Sequence, residues 1–564
     1  MVNVKNLFGM AVVATALVGC SSSDDLATDV KGNENKIGEA YASFKINLPT
    51  TTGTRTAGDP ELVPGEAKEY EVKNGTILIF DTDGKFVESA DLGTMNPWTK
   101  DTDPNGVTTA AAATVQLSKV TIGGNYQALV LLNNNTNTTE QKVTLPNEGD
   151  SYTTWSATAS KADGAKYAST DGIFMANAPE YKSTTENPTT LVAFNNVYAS
   201  REQAQANPAT VVYVERGLAK VTMDDFAPNY PINAGTYKGD NVKIVNWQLD
   251  VTNKSTFPIH QADLKSEWSA VWSEPRFYDT KTTSAFKRVY WGTDPNYSGT
   301  DNLDLTNCQT AFNMIGNDDV KGLAGVANPQ YCLENTFNLA NMMQGQTTRV
   351  VFKAVYTPKA LVGSTDKTFY KVANNTAVWK EDDLKQQILT LALNAMKITD
   401  ATEQAKYKVD LSKGTNISGK AGQHLIQEAN ITYSGTPADS KVKPAIVNTV
   451  NEKLGLKVEG GKITAGISTY LNGEAYYIAR IKHFNELTPW TAGTSYGSDN
   501  AAYLGRYGVL RNNWYSLSVK SISNLGYPEV PEVKPKTQDD ENDKYINVEV
   551  KILDWAKRTQ EIDL

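Results

Sequence analysis

The chain has 564 residues, long enough for two or more domains, and its 54 basic against 63 acidic side chains argue against nucleic acid as a partner. Tyrosine, at 27 residues, leads the aromatics, and Thr, Asn, Val and Gly are abundant, which suits many short strands joined by turns. His-Glu-x-x-His does not occur and no carboxylate pair carries a recognisable motif, so no enzyme is expected. His260, His424 and His483 are far apart in sequence and no Cys/His cluster marks a metal site, so neither metal nor cofactor is expected.

In chain order, the first element is an export signal. Lys5 precedes an apolar run from Leu7 to Leu17, too short to cross a bilayer as a mature helix. Leu17-Val18-Gly19-Cys20 closes it in the form of a bacterial lipobox, a branched residue and a small pair before the cysteine that takes the lipid. Residues 1–20 thus read as a lipoprotein signal peptide with Cys20 as the lipidation site, and an anchor of two or more acyl chains is a stable tether. A strand comes next, with Ala42, Phe44, Ile46 and Leu48 alternating with Ser43, Lys45 and Asn47. The run Thr50 to Pro60 has no large apolar residue and one arginine, Arg55, and such an exposed loop is where proteases cut.

Strands continue at Thr76–Phe80 and Lys85–Val87, joined by the turn Asp81-Thr82-Asp83-Gly84, which lacks the further ligands a calcium loop needs. Tyr126–Leu132 reads as a buried strand, and Val211–Val221, Val242–Val251, Arg349–Tyr356, Ala475–Ile481 and Trp514–Val519 extend the pattern. Helical signals are few: Asp383–Met396, and a weaker one over Val442–Leu454 interrupted by Pro444. All-β sandwiches with a few helical insertions follow, with a boundary near residue 210. Residues 527–544, with three prolines and Asp539-Asp540-Glu541, read as an extended, solvated arm. At its end Ile546, Val548, Val550 and Ile552 alternate with polar residues, a strand with one apolar face. After Cys20 only Cys308 and Cys332 remain, and the spacing leaves open a disulfide or two free buried thiols.

A lone strand is unstable, so the 42–48 strand and the terminal strand must each add to a sheet. Four buried aliphatic side chains offer roughly 6–12 kcal/mol of gross burial, comparable to a domain's whole net stability. Loss of the first strand after a cut at Arg55 would open an apolar groove that another chain's terminal strand could fill. The alternative is that both strands pair within their own chain.

The chain carries Arg511-Asn512-Asn513-Trp514-Tyr515 leading to Leu525-Gly526, then Val548-Glu549-Val550, Trp555 and the ending Ile562-Asp563-Leu564. Val214-Glu215-Arg216, Ala219-Lys220-Val221, Glu334-Asn335, Gly473 and Tyr476-Tyr477 add to them. In these motifs it resembles the fimbrillins, and among them the major shaft subunit of short, type V fimbriae, whereas about residues 140–205 and 360–460 match poorly. The resemblance implies two tandem transthyretin-like β-sandwiches, at 56–210 and 211–527, after a propeptide, 21–55, that includes strand 42–48. It further implies a linker, 528–544, and a flexible donor-strand arm, 545–564. An arginine-specific protease would cut between Arg55 and Thr56, and the subunits would join head to tail and with accessory fimbrial subunits. The precursor would sit in the outer membrane, and the mature fibre would meet host or bacterial surface ligands. Residues 1–55 hold five basic and five acidic residues, so their loss leaves the charge at −9. Two other readings stand beside this one. The chain could be an accessory, anchor or tip subunit, or a glycan-binding surface lipoprotein using Trp490 with Tyr496 or Trp268 with Trp272.

Overall fold

The computed structural model describes residues 39–49, 69, 71–93, 107–134, 143–158, 160–161, 172–183, 186–262, 278, 286–297, 304–316, 329–436, 441–483, 503–539 and 546–554. All belong to one compact unit, Ile37–Leu564. Cys20, Arg55, Thr56, Trp268, Trp272, Trp490 and Tyr496 lie outside them.

Strands dominate, as the composition and alternation predict. An eight-stranded sheet runs Phe86–Asp91, Gly75–Phe80, Tyr126–Leu132, Met175–Asn177, Thr210–Arg216, Ala40–Pro49, Val107–Leu117, with Val192–Phe194 added beside Tyr126–Leu132. Thr210–Arg216 joins the two halves of this path. Its Thr210–Tyr213 stretch runs parallel to the first strand, and Val214–Arg216 runs antiparallel to Met175–Asn177. The first strand and Gly75–Phe80 bury side chains in one apolar core, with Phe44 edge-on to Phe194 at 5.1 Å between ring centroids. The turn at Asp81 is closed by its own carboxylate, which accepts from the backbone N–H groups of Asp83 and Lys85 while Gly84 takes a φ of 74°.

The expected strand Val211–Val221 is two strands. Gly217 and Leu218 break it, so Thr210–Arg216 ends in the first sheet while Ala219–Met223 opens the second. The chain therefore passes from the first sheet to the second at Gly217-Leu218. Two four-stranded sheets follow. One is ordered Gln330–Cys332, Ala219–Met223, Asn513–Ile522, Ile546–Asp554; the other Tyr230–Pro231, Asn241–Asp250, Arg349–Thr357, Glu474–Arg480. Val221, Tyr515 and Leu517 of one meet Trp247, Phe352 and Tyr477 of the other in a second core.

The same local plan occurs twice. Ala40–Pro49 lies between a parallel partner, Thr210–Tyr213, and an antiparallel one, Val107–Leu117. Ala219–Met223 likewise lies between parallel Asn513–Ile522 and antiparallel Gln330–Cys332. The terminal strand Ile546–Asp554, antiparallel to Asn513–Ile522, stands where Met175–Asn177 stands beside Thr210–Arg216, and it forms the edge of its sheet.

Between Arg349–Thr357 and Glu474–Arg480 sits a module with its own core, spanning much of the stretch whose motifs match poorly. Helix Glu381–Met396 starts on three acidic residues, which suit its positive N-terminal end, and buries Leu384, Ile388 and Ala392 at four-residue spacing. Pro444 does not interrupt the second helix but begins it. Helix Pro444–Lys453 carries the proline in its first turn, where no N–H is needed.

The arm is not solvated throughout. Between Tyr527 and Asp539 it is bound to the body: Tyr527 pairs with Tyr476, Arg349 donates to the Pro531 carbonyl at 2.7 Å, and Gln344 N–H donates to Thr537 O at 2.8 Å. Val533 enters a third apolar core, and Asp539 is buried, accepting from the Thr347 hydroxyl at 3.1 Å. Gly345 leaves the room that Pro535 occupies, since a Cβ there would lie 2.8 Å from the Pro535 Cα. No disulfide forms: Cys308 and Cys332 are free thiols buried in separate cores. Burial pushes both thiols up, to about 11 and about 12, so neither is a ready thiolate.

Candidate functional site: two strands and a buried junction

The first strand is seated as an interior strand. Ala40, Ala42, Phe44, Ile46 and Leu48 are each no more than 1% exposed, and Ser43 and Asn47 on the other face are buried too. Its ladder with Val107–Leu117 runs from Ala40–Leu117 to Leu48–Thr109, and the Ser43 and Thr114 hydroxyls share a 2.8 Å hydrogen bond. Tyr41 also exchanges two backbone hydrogen bonds with Tyr198. All four side chains proposed from sequence, Ala42, Phe44, Ile46 and Leu48, thus lie in one core and leave a continuous apolar trough if withdrawn.

The terminal strand is held differently. Ile546–Asp554 pairs antiparallel with Asn513–Ile522, from Ile546–Ile522 through Val548–Val519, Val550–Leu517 and Ile552–Tyr515 to Asp554–Asn513. It occupies a sheet edge, and Val548 is buried against the second core. In this chain both strands pair internally, which is the alternative left open by the sequence.

Around the passage from the first sheet to the second, charged side chains from distant parts of the sequence converge. Glu215 accepts from Arg288 Nε at 2.7 Å and shares a 2.6 Å hydrogen bond with His260 Nδ1. Arg288 also donates to the Arg511 carbonyl at 2.8 Å, and the Arg511 guanidinium forks onto both Glu334 oxygens. Arg216 donates to the Glu69 carbonyl at 2.8 Å and to the Asn512 side chain at 3.1 Å. Lys220 pairs with the Glu69 carboxylate at 2.5 Å and lies 3.9 Å from the centre of a Trp514 ring. These charged groups are almost wholly buried. Burial alone would raise the Glu215 carboxyl, but the Arg288 charge and the His260 contact outweigh it and hold it at about 2.

This junction explains motifs that sequence reading could quote but not connect. Glu215-Arg216, Lys220, Glu334 and Arg511-Asn512 are its members, and Asn512 adopts the left-handed conformation, φ 59°, as the chain enters its strand. Gly473 has a φ of 77°, and a Cβ there would lie 2.3 Å from the Tyr356 carbonyl oxygen. Gly473→Ala is expected to cost about 1–3 kcal/mol, read as a lower midpoint in urea with unchanged slope. Glu69, Arg288 and His260 were not singled out, because nothing local in the sequence marks a buried ion pair between residues so far apart.

The matched family gives this geometry a context. Residues 468–561 match the family described as major fimbrial subunit protein type IV, fimbrillin, C-terminal. That span is a fimbrillin C-terminal region. It takes in Glu474–Arg480, the Arg511 motif, the bound arm and the terminal strand. No curated protein sequence matches the chain. Among solved structures, a fimbrial assembly protein from Parabacteroides distasonis is 12% identical, covering 57% of this chain and 86% of its own, with a TM-score of 0.26. The C-terminally truncated tip fimbrial protein Mfa3 from Porphyromonas gingivalis is 11% identical, covering 91% of this chain and 100% of its own, with a TM-score of 0.31. Beyond the fimbrillin C-terminal region, both likenesses are distant.

Proposed function

We propose that this fimbrial subunit is made as a lipoprotein, cut at Arg55 and polymerised by strand exchange into the shaft of a surface fimbria. The fimbrillin C-terminal region supports the coarser part, a fimbrial subunit. One observation carries the finer part. The first strand is an interior strand whose loss opens a trough, while the terminal strand is an edge strand of matching alternation. In the proposed scheme Cys20 delivers the precursor to the outer membrane, and an arginine-specific protease severs the chain between Arg55 and Thr56. The lipid and the strand around Ala42–Leu48 then leave together. The strand Ile546–Asp554 of the next copy takes the vacated seat, giving a head-to-tail polymer that need not close on itself. Asp539 is the pivot. Beyond it residues 540–545 can span about 20 Å when extended, at roughly 3.3 Å each.

Because the terminal strand is the edge strand of its sheet, with one ladder partner, deleting residues 545–564 is expected to leave a folded monomer. Uncovering one edge of the second core should lower its stability, but its circular dichroism should stay that of a β protein. Fibres from that deletion, seen by electron microscopy, would show that the strand is not the donor.

A second reading rests on the docking of the terminal strand along its own sheet. A subunit that keeps this strand in place accepts a partner without donating onward, as an accessory, anchor or tip subunit would. Mixing the deleted chain with intact chain separates the two. A shaft subunit then gives shortened fibres capped by the deletion, and a non-donating subunit gives no dependence on it.

A further inference from the structure

The strand Val107–Leu117 has one ladder partner among the described residues, and that partner is the first strand. Its other edge is laddered to no described strand, although Phe86–Asp91 packs beside it. Its sequence, Val-Thr-Thr-Ala-Ala-Ala-Ala-Thr-Val-Gln-Leu, has no charge, and four successive alanines supply little apolar area to hold it down. Ala111 and Ala113 pack, partly buried, against the first core, and the stronger anchors lie at the C-terminal end. Val115 and Leu117 enter the first core. Just beyond, the Glu88 carboxylate accepts from the Ser118 N–H at 2.9 Å, the Ser118 hydroxyl at 2.9 Å and the Lys119 N–H at 2.7 Å. The short helix Arg201–Ala206 packs on both the first strand and Val107–Leu117, with Ala204 buried. The opposite wall needs no such support, because Thr210–Arg216 stays laddered to Met175–Asn177 through Val214–Arg216.

We propose that the two walls of the acceptor seat differ in kind: Thr210–Arg216 is fixed, whereas Val107–Leu117 takes its only ladder among the described residues from the strand lying between them. This rests on the strand-exchange reading and deepens it. The docking surface is completed by its occupant, which in the fibre is the terminal strand of a second copy. Emptying the seat removes the ladder of Val107–Leu117, and its N-terminal part frays while Glu88 fixes the hinge at Ser118. Binding an incoming strand then orders two strands at once, and the empty seat presents an open edge in place of a rigid slot.

Hydrogen exchange on the full chain tests this in two ways that fail separately. In the first, the chain is cut at Arg55 with an arginine-specific protease and the released strand is removed by gel filtration. A synthetic peptide of residues 39–49 is then added back. In the second, the uncut F44D/I46D chain places two carboxylates in the core and expels the first strand without cleavage. In both, amides of residues 108–114 are expected to exchange about 100-fold faster or more, while Tyr126–Leu132 and Arg349–Thr357 keep their protection. The peptide should restore protection to the cut chain. If the first strand stays bound after the cut, the maturation scheme fails, and the substituted chain still reports on the wall. Retained protection of residues 108–114 in F44D/I46D, with the first strand itself exchanging freely, overturns the proposal.

Discussion

An Arg55→Ala chain is expected to accumulate as a lipid-bearing precursor and to form no fibres. The physical reason lies in the seat of the first strand. Five inward side chains at 1% exposure or less, a long antiparallel ladder and a parallel one leave an incoming strand no vacancy. Displacing an intact, covalently attached strand means competing with a partner at very high effective concentration, which a soluble competitor cannot match. Cleavage removes that advantage and lets the propeptide strand diffuse away. Electron microscopy of cells carrying the variant checks the fibres, and detergent partitioning checks the precursor. Normal fibres from Arg55→Ala would sink the maturation scheme. Lys36 and Lys45 offer other basic positions, and Lys45 lies within the first strand, so a cut there would leave half the seat occupied.

The second large effect is expected at the junction. Glu215→Ala removes the carboxylate that holds Arg288 and His260 and strands a buried guanidinium, a change that costs about 3–5 kcal/mol. Because a domain's whole margin is about 5–15 kcal/mol, thermal melting should fall steeply and secretion with it. The pH dependence has a definite sign. The Glu215 carboxyl is held at about 2, below its ordinary 4.5, so its contribution is fully present above pH 4.5. It is lost as pH falls through 4.5 towards 2, and amounts to about 3 kcal/mol. Glu215→Gln should flatten that acid limb while lowering stability near neutrality. An acid limb as steep in Glu215→Gln as in the native chain would show that Glu215 is not its source.

How much of this could be read from the sequence depends on whether the signal is local. The strands expected at Ala42–Leu48, Val242–Val251 and Trp514–Val519 form as Ala40–Pro49, Asn241–Asp250 and Asn513–Ile522, because a strand writes its apolar face into alternate residues. The β-rich class followed from the same signal. The same reasoning ran Val211–Val221 together, since both halves are buried and only Gly217-Leu218 marks the switch of sheets. The arm misled for a different reason. Its prolines and acidic residues say that it makes no ladder, which is true, but carbonyls such as that of Pro531 and the lone Val533 still bind it to the body. The junction was invisible as a site. Its motifs were legible one by one, yet Glu69, Glu215, Arg288, Glu334 and Arg511 meet only once the chain is folded.

The first strand and the terminal strand carry the central claim, that one leaves and the other takes its place. Mass spectrometry of the N-terminus of assembled surface material tests it most directly. The account predicts a chain beginning at Thr56, without lipid and without residues 40–49. Assembled protein that mostly retains an acylated Cys20 would contradict it.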